Sequence, residues 1–207
     1  MIDTLFLDRD GTVIEDGHYL SDPEKIRLIP SAVEGLRLLA REGFRFFIVT
    51  NQSGIGRGYY GLADYERCER RLAELLAEQG ITIEDTAYCP HAPEEDCACR
   101  KPATGMWRAL AEKHGLKAGN CAMAGDSERD VLFAVRAGFA AACLIADPAD
   151  ISSGTPSPCS GQSAEHAAAA IPAHAAAHPS DSGTFCCTAG SLAEFARILL
   201  TMREDHA

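Results

Sequence analysis

Apolar residues along this chain switch repeatedly between continuous short runs and helical spacing. Leu5-Phe6-Leu7 forms a buried-strand run, and Ser31 to Glu42 then repeats Val33, Leu36, Leu39 and Ala40 at the helical period until Gly43 stops it. Phe44 to Val49 makes a second strand-like run, and Leu62 to Gln79 a second helix through Tyr65, Leu72, Leu75 and Leu76, closed by Gly80. The pattern predicts a strand around Thr86 to Tyr88, a helix over Thr104 to His114 and a strand over Cys121 to Ala124. A helix over Ser127 to Ala137 and a strand over Ala141 to Ala146 follow.

Such alternation implies an α/β fold, Rossmann-like, with a parallel sheet covered by helices on both faces. Ligands then bind beyond the carboxyl ends of the strands, so the residues just after each strand are the ones to read for chemistry. From Pro148 to about Thr184 the periodicity fades into Ser, Pro, Ala, Gly and His, and Pro158, Pro172 and Pro179 interrupt any long helix. The expected organisation is a core over 1–147, a flexible low-complexity insertion over 148–184, a strand and amphipathic helix over 185–203 packing back on the core, and a tail over 204–207. His166, His174 and His178 lie too far apart in the insertion to be given a role.

A length of 207 residues with 46% hydrophobic and 24% charged positions suits a globular domain with an appendage. The formal charge of −11, with no basic stripe, argues against nucleic acid or anionic lipid as a partner. No apolar stretch approaches the roughly 18 residues of a membrane span, and the first residues lack a signal-peptide pattern, so a soluble cytoplasmic protein, monomeric by default, is expected. A phosphorylated small molecule stays compatible with the acidic balance, because Arg100 and Lys101 can build a local positive pocket.

Asp8-Arg9-Asp10-Gly11-Thr12 places two carboxylates just past the first strand, an arrangement that calls for a cation. Mg²⁺ suits an all-oxygen site, and Asp8, Asp126 and the Asp10 carbonyl are the expected ligands. Asp8 can attack phosphorus to form an acyl phosphate, with Asp10 protonating the leaving oxygen and then deprotonating water. Thr50-Asn51-Gln52-Ser53-Gly54 after the second strand offers a hydroxyl and N–H groups to phosphoryl oxygens, and Lys101 supplies positive charge. Asp130 falls in the first turn of a helix and is given the lesser role of favouring the dipole or orienting the metal site.

Each motif alone is unremarkable, since an Asp pair after a strand is often an ordinary turn. In this order, after strands, Asp8-Arg9-Asp10-Gly11-Thr12, Thr50-Asn51, Lys101 and Gly125-Asp126 with Asp130 resemble the four motifs of the haloacid-dehalogenase superfamily of phosphatases over residues 3 to about 146. The resemblance implies a compact domain with little or no cap, Asp8 as nucleophile, Asp10 as acid/base, and Thr50 and Lys101 stabilising the transferring phosphoryl group. Within the superfamily the chain is most similar to the heptose 1,7-bisphosphate phosphatases. Asp16-Gly17-His18-Tyr19 and the loop Thr50 to Gly58 carry that likeness and are expected to contact substrate, with Arg57 meeting a second phosphate. The histidinol-phosphate phosphatases are also similar, and their cationic substrate would instead prefer extra carboxylate. A zinc-stabilised binding protein without catalysis is the alternative of another class, opposed by the intact acids.

Of nine cysteines, Cys89, Cys97 and Cys99 group with His91, and five residues separate the Cys-Pro-His and Cys-Ala-Cys pairs. Three thiolates and one imidazole make a closed tetrahedral Zn²⁺ site with no open position, hence structural. Because Arg100 and Lys101 follow directly, the zinc is expected to hold these cations against the substrate.

Overall fold

The computed structural model describes residues 1–146, 177–179 and 183–204. Strand β1 (Thr4–Leu7) leads through a loop to α1 (Pro30–Arg41), followed by β2 (Arg45–Asn51), a single turn α2 (Ser53–Gly56), and α3 (Leu62–Glu78). Strand β3 (Asp85–Cys89), α4 (Gly105–His114), β4 (Cys121–Gly125), α5 (Glu128–Ala137) and β5 (Ala141–Ile145) continue the alternation. Short β6 (Ala177–Pro179), β7 (Phe185–Ala189) and α6 (Leu192–Glu204) complete it.

The sheet order is β3-β2-β1-β4-β5-β7-β6, parallel throughout except for β6, which runs antiparallel to β7. A strand at 177–179 falls within the segment expected to be a flexible low-complexity insertion over 148–184. The edge of β7 offers unpaired backbone groups that a neighbouring segment can satisfy, a pull that periodicity does not reveal. Residues 147–176 and 180–182, with His166 and His174, lie outside the described residues.

Because both faces of a parallel sheet are covered, its strands read as continuous apolar runs while consecutive side chains go to opposite cores. Leu5 and Leu7 join one core with Ile48, Leu36, Leu72 and Phe195. Phe6, between them, joins the other, where its ring centre lies 5.3 Å from Phe47, 5.5 Å from Trp107 and 5.0 Å from Phe139. Helix α6 is admitted close to α1 by Gly35, at which a Cβ would sit 2.7 Å from the Leu192 carbonyl oxygen.

This order reverses direction at β1. The chain moves outward from β1 to β2 and β3, then returns to place β4 on β1's other side, so the crevice between the ends of β1 and β4 is the switch point of the sheet. Leu7 pairs with Ala124 there, and the Asp8 N–H donates to the Ala124 carbonyl at 2.9 Å. Among the described residues no separate domain stands over this end, in keeping with the expectation of little or no cap, and no helix is long and apolar enough to cross a membrane.

Candidate active site

The strand ends bring four segments of sequence to one cleft of about 370 Å³, lined among others by Asp8, Thr50, Arg100, Lys101 and Asp126. Strand β2 runs two residues past the predicted end at Val49, which puts Thr50 and Asn51 on the strand itself. Thr50 is buried, and its hydroxyl accepts from the Gln52 side-chain amide at 2.8 Å. Asn51 donates to the Lys101 carbonyl at 3.2 Å and accepts from the Lys101 N–H at 2.9 Å, fastening the backbone of one motif to the end of another.

Lys101 is buried with Nζ 2.9 Å from Asp8 Oδ1 and 2.6 Å from Asp130 Oδ1. Desolvation alone would discharge the ammonium, but the two carboxylates raise its pKa above the ordinary lysine value. Burial pushes Asp8 up to about 7, against the pull of Lys101. Asp126 is likewise pushed up to about 6, chiefly by burial and then by Asp130. Asp8, Asp126 and Asp130 each offer an oxygen within 4.8 Å of the others. Three hard oxygen donors facing one ammonium leave an excess of negative charge, which fits a divalent cation such as Mg²⁺. The backbone accommodates that grouping: a Cβ at Gly11, whose φ is +76°, would sit 2.0 Å from Asp126 Oδ2.

Asp10 lines the same cleft, but its carboxylate is held by other partners. Its carboxylate accepts from Arg9 Nε and Nη2, both at 3.1 Å, and from Gln52 Nε2 at 2.9 Å. Its side chain therefore stands outside the acidic triplet, and the expectation that only its carbonyl would meet a cation remains compatible with that arrangement. Asp130 has a larger structural share than the sequence reading gave it. It is completely buried, accepts from the Ser127 N–H and hydroxyl at 3.1 and 2.7 Å, and requires a glycine at 125, where a Cβ would fall 2.3 Å from its carboxyl carbon.

The substrate-side residues divide. Asp16, His18, Tyr19, Asn51, Gln52, Ser53, Arg57 and Arg100 line the cleft. Gly17 does not line it but packs on Leu20, where a Cβ would be 3.2 Å from Cδ1. His18 and Tyr19 both adopt left-handed backbone, at φ 45° and 58°, a conformation uncommon outside glycine. Tyr19 then packs edge-on to Tyr59 at 4.6 Å. Arg57 is paired with Glu94 at 3.3 Å, whereas Arg100 Nη1 is buried without a hydrogen-bond partner among the described residues, a donor that suits an anionic ligand. Arg129, on α5, also lines the cleft and was given no role from sequence.

Beside the cleft, Cys89, His91, Cys97 and Cys99 each present a ligand atom within 4.8 Å of the rest. Cys89 Sγ lies 3.4 Å from Cys97 Sγ and 3.3 Å from Cys99 Sγ, and His91 Nδ1 is 3.2 Å from Cys99 Sγ. Burial opposes ionisation of Cys97, but the Arg100 N–H and the neighbouring thiols bring it down to about 7. Three soft sulfurs and an imidazole at mutual van der Waals distance fit a tetrahedral zinc site.

Residues that sequence reasoning passed over surround Asp10. Arg9 is 1% exposed, and its Nη1 donates to Glu69 Oε1 at 2.9 Å. Burial raises the Glu69 pKa against the pull of Arg9. A signal existed: Glu69 is an acid close to the inward stripe of α3, between Tyr65 and Leu72.

A doubly wound sheet with paired acids, a buried lysine and a further acid at its switch point defines a haloacid dehalogenase-like hydrolase, and the chain belongs to that family, whose profile matches residues 15–138. Similar proteins are the D-glycero-beta-D-manno-heptose-1,7-bisphosphate 7-phosphatases of Pseudomonas putida and Pseudomonas aeruginosa. The first is 42% identical over 135 residues, 65% of this chain and 77% of its own. The second is 42% identical over 128 residues, 61% of this chain and 72% of its own. Among solved structures, D,D-heptose 1,7-bisphosphate phosphatase from B. bronchiseptica, crystallised with magnesium and phosphate, superposes with a TM-score of 0.75 at 25% identity over 97% of this chain and 99% of that one.

Proposed function

We propose that this chain is a Mg²⁺-dependent phosphatase that removes the 7-phosphate of D-glycero-D-manno-heptose 1,7-bisphosphate through a phosphoenzyme on Asp8. The observation that carries the reading is the placement of Lys101 between Asp8 and Asp130 at the switch point, which joins a carboxylate and a buried positive charge in one cleft. An anionic nucleophile can approach an anionic ester only where charge is neutralised, and Lys101 provides part of that. Asp8 Oδ1 is held by the Arg9 N–H at 2.8 Å and by Lys101, which leaves Oδ2 to attack.

As Asp8 bonds to phosphorus, the ester P–O bond breaks and the leaving oxygen takes the proton of Asp10. A water molecule then gives a proton back to Asp10 and attacks phosphorus, releasing phosphate and restoring the Asp8 carboxylate. Asp8, Asp126 and the Asp10 carbonyl would hold Mg²⁺, which supplies further positive charge against the phosphoryl oxygens when bound. Thr50 and the N–H groups that follow it orient those oxygens. A second phosphate on the substrate is favoured by the unpaired donor of Arg100, and the names of the relatives at 42% identity support the heptose bisphosphate in particular.

Phosphate release with Mg²⁺ from heptose 1,7-bisphosphate and from histidinol phosphate tests the reading. Higher kcat/KM on the bisphosphate, and loss of turnover in Asp8→Asn with the fold intact, are expected. Turnover by Asp8→Asn at the wild-type rate would refute the mechanism, and preference for histidinol phosphate would refute the substrate.

A further inference from the structure

We propose that Glu69 and Tyr60 are positioning residues for Asp10, acting through Arg9 and Gln52, and that together they fix the direction from which its carboxyl meets the leaving oxygen. The inference rests on the phosphatase reading above, in which Asp10 transfers that proton.

Asp10 sits in the loop after β1 with 27% of its side chain exposed, so packing alone does not hold it. Three N–H groups do. Arg9 Nε and Gln52 Nε2 both donate to Oδ2, and Arg9 Nη2 donates to Oδ1. A carboxylate has about four acceptor positions, two on each oxygen. Oδ2 is thus fully engaged, and the open position lies on Oδ1. The reacting oxygen of Asp10 is therefore chosen by its neighbours.

Those neighbours are themselves fixed from farther away. Taking a guanidinium out of water costs several kcal/mol unless its donors are met, and Asp10 alone cannot meet them. Glu69 accepts from Arg9 Nη1 at 2.9 Å, Gln52 Oε1 accepts from Nη2 at 3.1 Å, and the guanidinium carbon lies 5.4 Å from the centre of the Tyr65 ring. Both Glu69 and Tyr65 belong to α3, so the loop carboxylate is referenced to a helix packed on the sheet. The amide of Gln52 must also point one way. Its Oε1 receives the Tyr60 hydroxyl at 2.6 Å, which leaves Nε2 for Asp10 and for Thr50 Oγ1. With the amide reversed, its oxygen would face the Asp10 carboxylate and repel it.

A mis-aimed acid matters most where the departing group is strongly basic. Heptose 1-phosphate leaves through an alkoxide oxygen that needs a proton, while p-nitrophenolate departs without one. The test measures kcat and KM on heptose 1,7-bisphosphate and, because the later attack of water also uses Asp10 whatever the ester, the pre-steady-state burst of phenol released from a series of aryl phosphates including p-nitrophenyl phosphate, with Mg²⁺ saturating. Glu69→Ala should lower kcat on the sugar phosphate about tenfold or more, part of the roughly 10²–10⁴ that proton transfer contributes. KM should change by less than about twofold and the burst rate of p-nitrophenol release, which precedes the water step, by less than about threefold. Glu69→Gln, which keeps an acceptor for Nη1, should restore most of the loss. Tyr60→Phe deletes one hydroxyl with little change of shape and should give the same selective loss at smaller size, so it carries the test if Glu69→Ala fails to fold. Equal losses in kcat on the sugar phosphate and in the p-nitrophenol burst, or none in either, would overturn the inference while leaving the phosphatase reading standing. Absence of turnover by the unaltered protein on every ester would overturn that reading instead.

Discussion

Lys101 Nζ and Asp130 Oδ1 stand 2.6 Å apart with both side chains out of water, and the same ammonium reaches Asp8 at 2.9 Å. Asp130 thereby links the cleft to the start of α5, where it also receives the Ser127 N–H and hydroxyl. Truncating one member of a buried pair leaves the other uncompensated, which typically costs about 3–5 kcal/mol. Asp130→Ala is therefore expected to lower the unfolding free energy measured in urea by an amount in that range, with a lower midpoint, and to reduce kcat at least about tenfold, because Lys101 loses one of the two groups that aim it. An unchanged midpoint in urea denaturation would show that Asp130 carries no such share.

A glycine at position 11 is required twice over. Its φ of +76° disfavours any L side chain by roughly 1–2 kcal/mol. A Cβ there would also overlap Asp126 Oδ2 at 2.0 Å. Gly11→Ala must displace either the loop that carries Asp10 or the Asp126 carboxylate. Misplacement by about 1 Å can cost roughly 10²-fold in rate, and a loss of that order is expected, with a rise in the Mg²⁺ concentration that gives half-maximal phosphate release. Wild-type dependence on Mg²⁺ in this variant would mean that Asp126 does not serve the cation.

Much of this geometry is local in sequence, and that part was readable. Leu5-Phe6-Leu7 and Cys121 to Ala124 are unbroken apolar runs because both faces of the sheet are covered, and the first acid after each run is necessarily at a strand end. Helix α3 was placed to within a residue at its C-terminus because its inward stripe and Gly80 agree. What could not be read are relations between distant segments. Asn51 and Gln52 line the cleft, but nothing in the sequence tells that their amides also hold the Lys101 backbone, Asp10 and Thr50. Nothing in Arg9 or Glu69 alone states that one neutralises the other 60 residues away. The left-handed pair His18 and Tyr19 is equally hidden, because neither residue type announces that conformation.

The neighbouring cluster, whose donors fit zinc, is tested by chelation. The segment between Cys97 and Lys101 is tied down at Ala98, whose carbonyl accepts from the Gly105 N–H at 3.0 Å, and at Lys101 by Asn51. Loss of a metal held by Cys89, His91, Cys97 and Cys99 should loosen the stretch that carries Arg100 while those ties still retain Lys101. A zinc-selective chelator, or Cys99→Ser, is expected to lower kcat/KM on the bisphosphate by about 10–100-fold, with most of the effect on KM. Metal analysis beside phosphate release, with Mg²⁺ resupplied, checks it. Full activity in zinc-free protein would remove any function for the cluster beyond its own loop.

Arg45 at the start of β2 grips Glu84 with two donors, Nε to Oε1 at 2.8 Å and Nη2 to Oε2 at 2.6 Å, where the chain enters β3. These hydrogen bonds hold the Glu84 pKa below its ordinary value of 4.5, with burial opposing. The sign follows from linkage. With a depressed pKa in the folded state, ionised Glu84 adds stability that is fully present above 4.5 and disappears as pH falls through the lower folded value. Both side chains are about one-third exposed, so solvent screening keeps the contribution near that of a surface pair, roughly 0.2–1 kcal/mol. Glu84→Gln should therefore be less stable than wild type by that amount in urea denaturation at pH 7 and low salt. The gap should narrow in concentrated salt and close in acid well below 4.5, where the wild-type carboxyl is itself neutral. A gap that persists unchanged in acid would show that the substitution acts through packing and not through charge.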